Sequence, residues 1–250
     1  MNSPGPVRAA ALGMACPLGL RLRPALAAIH AGISPFFDHE TFVGPGGPAR
    51  VAMLDDPRVP TTRHGRAAFF LRHAVAESLA SLAAADDLAQ RPLACILALP
   101  QPGLGPQLDP AALMRELEGL TLASGLPAKL RLHGAVTEGR AGIFAALETA
   151  LALLTLGREP LILLAGVDSL VDDETLHALA DRNLLMGRSN FDGVFPGEGA
   201  GCVVLTVDPR QRPLAYLLAN AVAREPEPFV DVAATGKISG AQGLAAVFAS

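Results

Sequence analysis

Three cysteines, Cys16, Cys95 and Cys202, are the strongest nucleophiles in the 250-residue chain. They are far apart and odd in number, and each sits in an apolar run. That pattern predicts three packed thiols in a reducing compartment, and neither a disulfide framework nor a thiolate metal site. The six histidines (His30, His39, His64, His73, His133 and His177) show no HxxxH spacing, so no zinc site is expected from them. The run Asp172-Asp173-Glu174 offers clustered carboxylates. A helix start explains these better than a metal, because negative side chains are favourable at a helix N-terminus. Glu198 lies in the glycine-rich string Gly197-Glu198-Gly199-Ala200-Gly201, where a general base or a buried structural carboxylate are the two readings; the structural one is preferred. Two glycine strings, Gly44-Pro45-Gly46-Gly47 and Gly197-x-Gly199-x-Gly201, raise the question of a phosphate cradle. Neither lies between a strand and a helix, so a nucleotide-binding domain is disfavoured.

The elements that must position these residues follow from hydrophobic periodicity. Residues 7–14 predict a first strand, and Pro24 opens a helix from Ala25 to His30 closed by Gly32. Residues 37–62 are rich in Gly, Pro and Asp and predict a long excursion. Ala67, Phe70, Leu71, Ala74, Val75, Leu79 and Leu82 recur at helical spacing within 64–85. Residues 93–99 and 160–166 are continuous apolar runs, suited to strands buried on both faces. A short helix follows Asp109-Pro110 and runs through Leu117, and Leu130 to Leu132 is extended. Residues 140–156 are apolar nearly all round, which predicts a helix buried nearly all round, between two sheets. A helix from Asp172 through Leu185, strands at 201–207 and 214–220, a polar segment at 223–236 and a helix at 241–249 complete the chain. Strands alternating with helices mean α/β with a mainly parallel sheet.

Composition narrows the function. The chain is 50% hydrophobic with a formal net charge of −4, which suits a globular domain with a large core. It has no basic stripe, no Trp and a single Tyr, so nucleic acid is not an expected partner. No leader peptide is expected, and no run of about 18 apolar residues suggests a membrane span. A cytoplasmic location is therefore expected.

The segment Phe191-Asp192-Gly193-Val194-Phe195-Pro196-Gly197-Glu198-Gly199-Ala200-Gly201 resembles the Asp-Gly-Phe-x-x-Gly-Glu-Gly-Ala-Gly signature of β-ketoacyl synthases, with Val-Phe in place of Phe-Val. Other pieces follow in that family's order. Ala11 to Gly19 is similar to its opening strand and Ser-Pro-Leu-Gly turn. Ala27 to Ser34 is similar to its next helix, and Leu163 to Ser169 to its Ala-Gly-Gly-Ala-Glu/Asp-Ser strand end. The resemblance implies a thiolase-like layered α/β fold. Residues 1–208 would be the N-terminal half and residues 209–250 the beginning of the second. The stop at Ser250 falls inside an apolar helical pattern. A longer natural chain and a natural half both stay open.

In that family a cysteine heads the buried central helix, because the helix N-terminus favours a thiolate. The matching helix here is 140–156, and the nucleophile position falls on Gly139 or Arg140, in the string Val136-Thr137-Glu138-Gly139-Arg140-Ala141-Gly142. Neither residue can form a thioester. The family's histidines would lie in the second half. The candidate pocket residues around this tip are Glu138, His133, Phe195 and Glu198, with no metal and no cofactor implied. Arg140 is expected to pair with Glu138, and His133 to be an interior hydrogen-bonded histidine. The resemblance thus implies a non-catalytic protein that forms a homodimer or a heterodimer with a synthase-like subunit through a sheet edge, or meets an acyl carrier protein. The alternative is an acyltransferase or condensing enzyme of fatty-acid or polyketide synthesis, using a shifted residue.

Overall fold

A computed structural model describes residues 5–44, 47–83, 92–123, 130–187, 190–223 and 241–249. Two compact units divide at Leu217 and Leu218. The first is built on a six-stranded sheet of β1 (Arg8–Ala15), β4 (Leu93–Ala98), β5 (Leu130–Val136), β6 (Leu161–Ser169), β7 (Glu198–Thr206) and the two-residue β8 (Ala215–Tyr216). The order is β5-β4-β6-β7-β1-β8. Both β5 and β6 pair parallel to β4. Strand β7 is antiparallel to both β6 and β1, so β1 runs with the parallel trio. Strands β4 and β6 are buried along nearly their whole length, as their unbroken apolar runs require.

Helix α2 (Arg63–Ala83) and helix α3 (Pro110–Ala123) cover one face of the sheet. The seven apolar positions read from the sequence of α2 are each at most 2% exposed. The approach of α2 to β1 depends on Gly13. A Cβ there would sit 1.9 Å from the Ala74 carbonyl oxygen. Helix α1 (Leu22–His30) begins where Glu77 of α2 accepts hydrogen bonds from the Leu22 amide (2.8 Å) and the Met14 amide (3.2 Å). A carboxylate thus satisfies an orphan donor at the helix start.

Helix α4 (Gly142–Thr155) lies on the opposite face of the sheet and is preceded by a 3-10 turn, Gly139–Ala141. Gly142, Ala146, Ala150, Leu153 and Leu154 are buried against β4 and β6. On the other side of α4, Phe144 is 53% exposed. This corrects the expectation of a helix between two sheets. Among the described residues only one layer of sheet packs on α4, so its all-round apolarity exceeds what the layer uses.

The 37–62 excursion contains a hairpin, β2 (Phe36–Gly44) and β3 (Gly47–Ala52). Its Phe42, Ala49 and Val51 pack on α5 (Asp173–Asp181) through Leu176 and Leu179. The carboxylate of Asp172 accepts the Thr175 amide at 3.1 Å, so the Asp172-Asp173-Glu174 run caps a helix as expected, although Asp172 is buried and not exposed. In the second unit, α6 (Gln242–Ala249) matches the expected final helix. Most of the 223–236 segment lies outside the described residues.

Candidate functional site

The parallel trio β5, β4 and β6 ends at Val136, Ala98 and Ser169. The C-terminal end of a parallel sheet is where an α/β fold usually assembles a site. Here the chain leaves β5 through Thr137-Glu138, turns at Gly139 and enters α4. Gly139 has φ = +56°, a left-handed backbone that glycine adopts without strain. The α4 N-cap is Ala141, which offers no side chain to the first amides. The helix mouth therefore has no side-chain cap, its Gly142 amide donating to the Gly139 carbonyl of the preceding turn, and it carries the positive end of the helix dipole.

Arg140 is exposed on that mouth. Among the described residues it forms no ion pair with Glu138 or any other carboxylate. The expected pairing is absent because both side chains reach into solvent, where an ion pair gains little. His133 is also exposed, on edge strand β5, instead of being an interior hydrogen-bonded group.

The cysteines lie elsewhere. Cys16 follows β1 in a tight turn, exchanging backbone hydrogen bonds of 2.9 Å with Gly19. Cys95 is mid-strand in β4, and burial pushes its thiol up to about 12. Cys202, in β7, is pushed up to about 12, again chiefly by burial. Its sulfur donates to the Ala74 carbonyl at 3.2 Å. All three are described residues, and none stands at the start of a helix. Neither buried thiol supplies thiolate near neutral pH.

Glu198 is a structural carboxylate. Its side chain is fully buried at the start of β7 and holds Arg66 through two short bonds, 2.6 Å from Nε and 2.7 Å from Nη2. The Leu54 amide donates to it at 2.9 Å and the Ser169 hydroxyl at 3.1 Å. Each of its two oxygens thus accepts two hydrogen bonds. Phe195 is half-exposed and packs on Phe36 of the hairpin, with ring centroids 5.3 Å apart.

The four candidate pocket residues are not gathered in one place. His133 and Glu138 belong to the β5 end of the sheet, and Glu198 to β7. Three strand steps of about 4.8 Å, roughly 14 Å in all, separate those two strands. The structure adds a group that spacing alone did not reveal. Arg63, one turn before Arg66 on α2, is 3% exposed. It donates to the Ser169 carbonyl at 2.8 Å, the Pro106 carbonyl at 2.9 Å and the Asp168 carboxylate at 2.9 Å. Burial raises the Asp168 carboxyl above its ordinary value, against the opposing pull of Arg63. An arginine pair three residues apart at the start of a helix with a regular apolar face was the available signal.

Among the described residues no group of three His, Cys, Asp or Glu could hold a metal ion, and no helix is long and apolar enough to cross a membrane. Of the Gly197-x-Gly199-x-Gly201 string, Gly197 precedes β7 and bridges Ala52, Gly199 pairs with β6, and Gly201 pairs with both β6 and β1. The string serves backbone pairing and is no phosphate cradle.

No family model matches the chain, and no curated protein matches it. Solved structures do. A ketosynthase from module 6 of the bacillaene synthase of Bacillus subtilis 168 aligns at TM-score 0.60 and 13% identity, over 80% of this chain and 40% of that one. The ishigamide ketosynthase/chain length factor aligns at 0.63 and 17%, over 88% and 68%. A ketosynthase in complex with its chain length factor, from Xenorhabdus doucetiae, aligns at 0.56 and 13%, over 82% and 59%. The chain thus spans about 40 to 68% of the length of these proteins. Sheet order, helix layers and these alignments together give the conclusion that this chain has the α/β fold of the ketosynthases and chain length factors.

Proposed function

We propose that this chain is a non-catalytic relative of the ketosynthases, corresponding to their N-terminal half, and that it works by binding a synthase-like partner or a carrier protein. The observation that carries the reading is the tip of α4. A helix end that would favour a thiolate presents Gly139, Arg140 and Ala141, while the buried thiols of Cys95 and Cys202 are held protonated. The edge of β5, which has no pairing strand among the described residues, supplies a surface for assembly. Three unpaired thiols suit a reducing cytoplasm.

The test is incubation of the pure protein with an acyl thioester, followed by intact-mass measurement. No stable mass increase is expected. A stoichiometric acyl adduct, abolished by Cys16→Ser, would overturn the non-catalytic reading in favour of a condensing enzyme with a displaced nucleophile.

A further inference from the structure

The outer side of α2 carries a feature unrelated to the tip of α4, which lies across the sheet from it. A groove of about 570 Å³ runs between α2, the loop before it and α3. That volume is within the range that holds a small ligand. Two small residues, Gly65 and Ala68, are among those that line it. Gly65 is kept small by Pro60, since a Cβ on Gly65 would lie 2.5 Å from the proline Cβ. The Phe69 ring and the His73 imidazole form one wall, with centroids 4.4 Å apart. His73 is fixed by a 2.8 Å hydrogen bond between its Nδ1 and the Phe69 carbonyl. Leu120 closes the far side.

Cationic side chains gather on the groove, although each guanidinium already has a carboxylate partner, Asp56 for Arg58 and Glu116 for Arg72. The chain carries a net charge of −4, and the groove presents Arg58, Arg72 and two imidazoles, His64 and His73, together with the carboxylate of Glu116. Arg58 is oriented by Asp56, whose carboxylate accepts its Nε at 2.9 Å and its Nη2 at 2.6 Å. The Arg72 contact to Glu116 is long, 3.4 Å, with both side chains nearly half exposed. A ligand anion can therefore compete for the Arg72 guanidinium at little cost.

We propose that this groove binds a flat aromatic carboxylate. The carboxylate sits between the Arg58 and Arg72 guanidiniums, and the ring lies on Ala68 and against the Phe69–His73 pair. Paired guanidiniums match a planar carboxylate better than an ammonium would, and a ring pair favours an aromatic body. The proposal does not depend on the fate of the α4 tip, and an acylated protein would leave it intact.

The probe is 2-naphthoate, titrated into the full chain and followed by proton NMR of the histidine C2 protons and by calorimetry. Saturable shifts are expected in two of the six histidine resonances, those lost in His64→Gln and His73→Gln. The cation 2-naphthylmethylammonium is expected to leave them unmoved. Arg72→Glu is exposed and expected to keep the parent thermal midpoint while weakening 2-naphthoate by about tenfold or more, and Arg58→Gln gives a second, independent loss. Equal binding of the cation, undiminished binding in both arginine variants, or no saturable shift up to about 10 mM overturns the proposal.

Discussion

Glu198 and Arg66 form a bidentate pair with almost no exposure on either side chain. Two further donors and two carbonyls, of Pro60 and Leu54, complete the set of hydrogen bonds around it. Such a pair ties the hairpin exit, α2 and β7 together, and removing one member leaves the other charge buried. Glu198→Gln is expected to destabilise the fold by about 3–5 kcal/mol in urea unfolding. The thiols make a second prediction. Burial holds Cys95 and Cys202 at about 12, above the ordinary 9.0. In the native protein only Cys16 is expected to react with a disulfide reagent at neutral pH, and all three after unfolding. A raised thiol value means that the folded state keeps its proton more tightly. Stability is therefore expected to be unaffected by these groups below about pH 9 and to fall as pH rises from 9 towards 12. Replacing Arg140 by Cys would place a thiol on the dipole of α4. Its pKa is expected below the ordinary cysteine range, read by the pH dependence of alkylation.

At the scale of elements, α2 packs on β1 with no room for a side chain at Gly13. Gly13→Ala puts a methyl group into the backbone of Ala74. Neither strand nor helix can give way cheaply, and a loss of about 1–3 kcal/mol or more is expected from the denaturation midpoint. Helix α4 behaves differently. Its inner residues Leu153 and Leu154 are buried, and each contributes on the order of 1.5–3 kcal/mol by leaving water. Its outer Phe144 contributes little of that kind. The hairpin β2–β3 was unreadable as strands because its pairing breaks between Asp38 and Val43, which interrupts any alternation.

For the whole molecule the instructive surfaces are the unfinished ones. Strand β5 is a sheet edge whose outward backbone groups have no partner among the described residues. Edges of that kind invite pairing with another strand. The proposed assembly through this edge is expected to protect the amides of residues 131–136 from hydrogen exchange as protein concentration rises. Exchange independent of concentration, with a monomer mass in light scattering, would remove the edge from the account.

Much of the architecture was legible from residue order. The doubly apolar runs of β4 and β6 announced central strands, the seven helical positions of α2 announced its buried face, and the glycine-rich string around Glu198 led into a strand. These features are local, because periodicity and backbone freedom are written in neighbouring residues. The absence of Cys, Ser or Thr at Gly139 and Arg140 was equally plain. Only the tertiary structure decided that Arg63 and Arg66 reach Asp168 and Glu198 across more than a hundred residues, that His133 and Arg140 are exposed, and that among the described residues one sheet layer packs on α4. Each depends on which surfaces meet in space, and the apolarity of a helix records how much surface needs cover without saying what provides it.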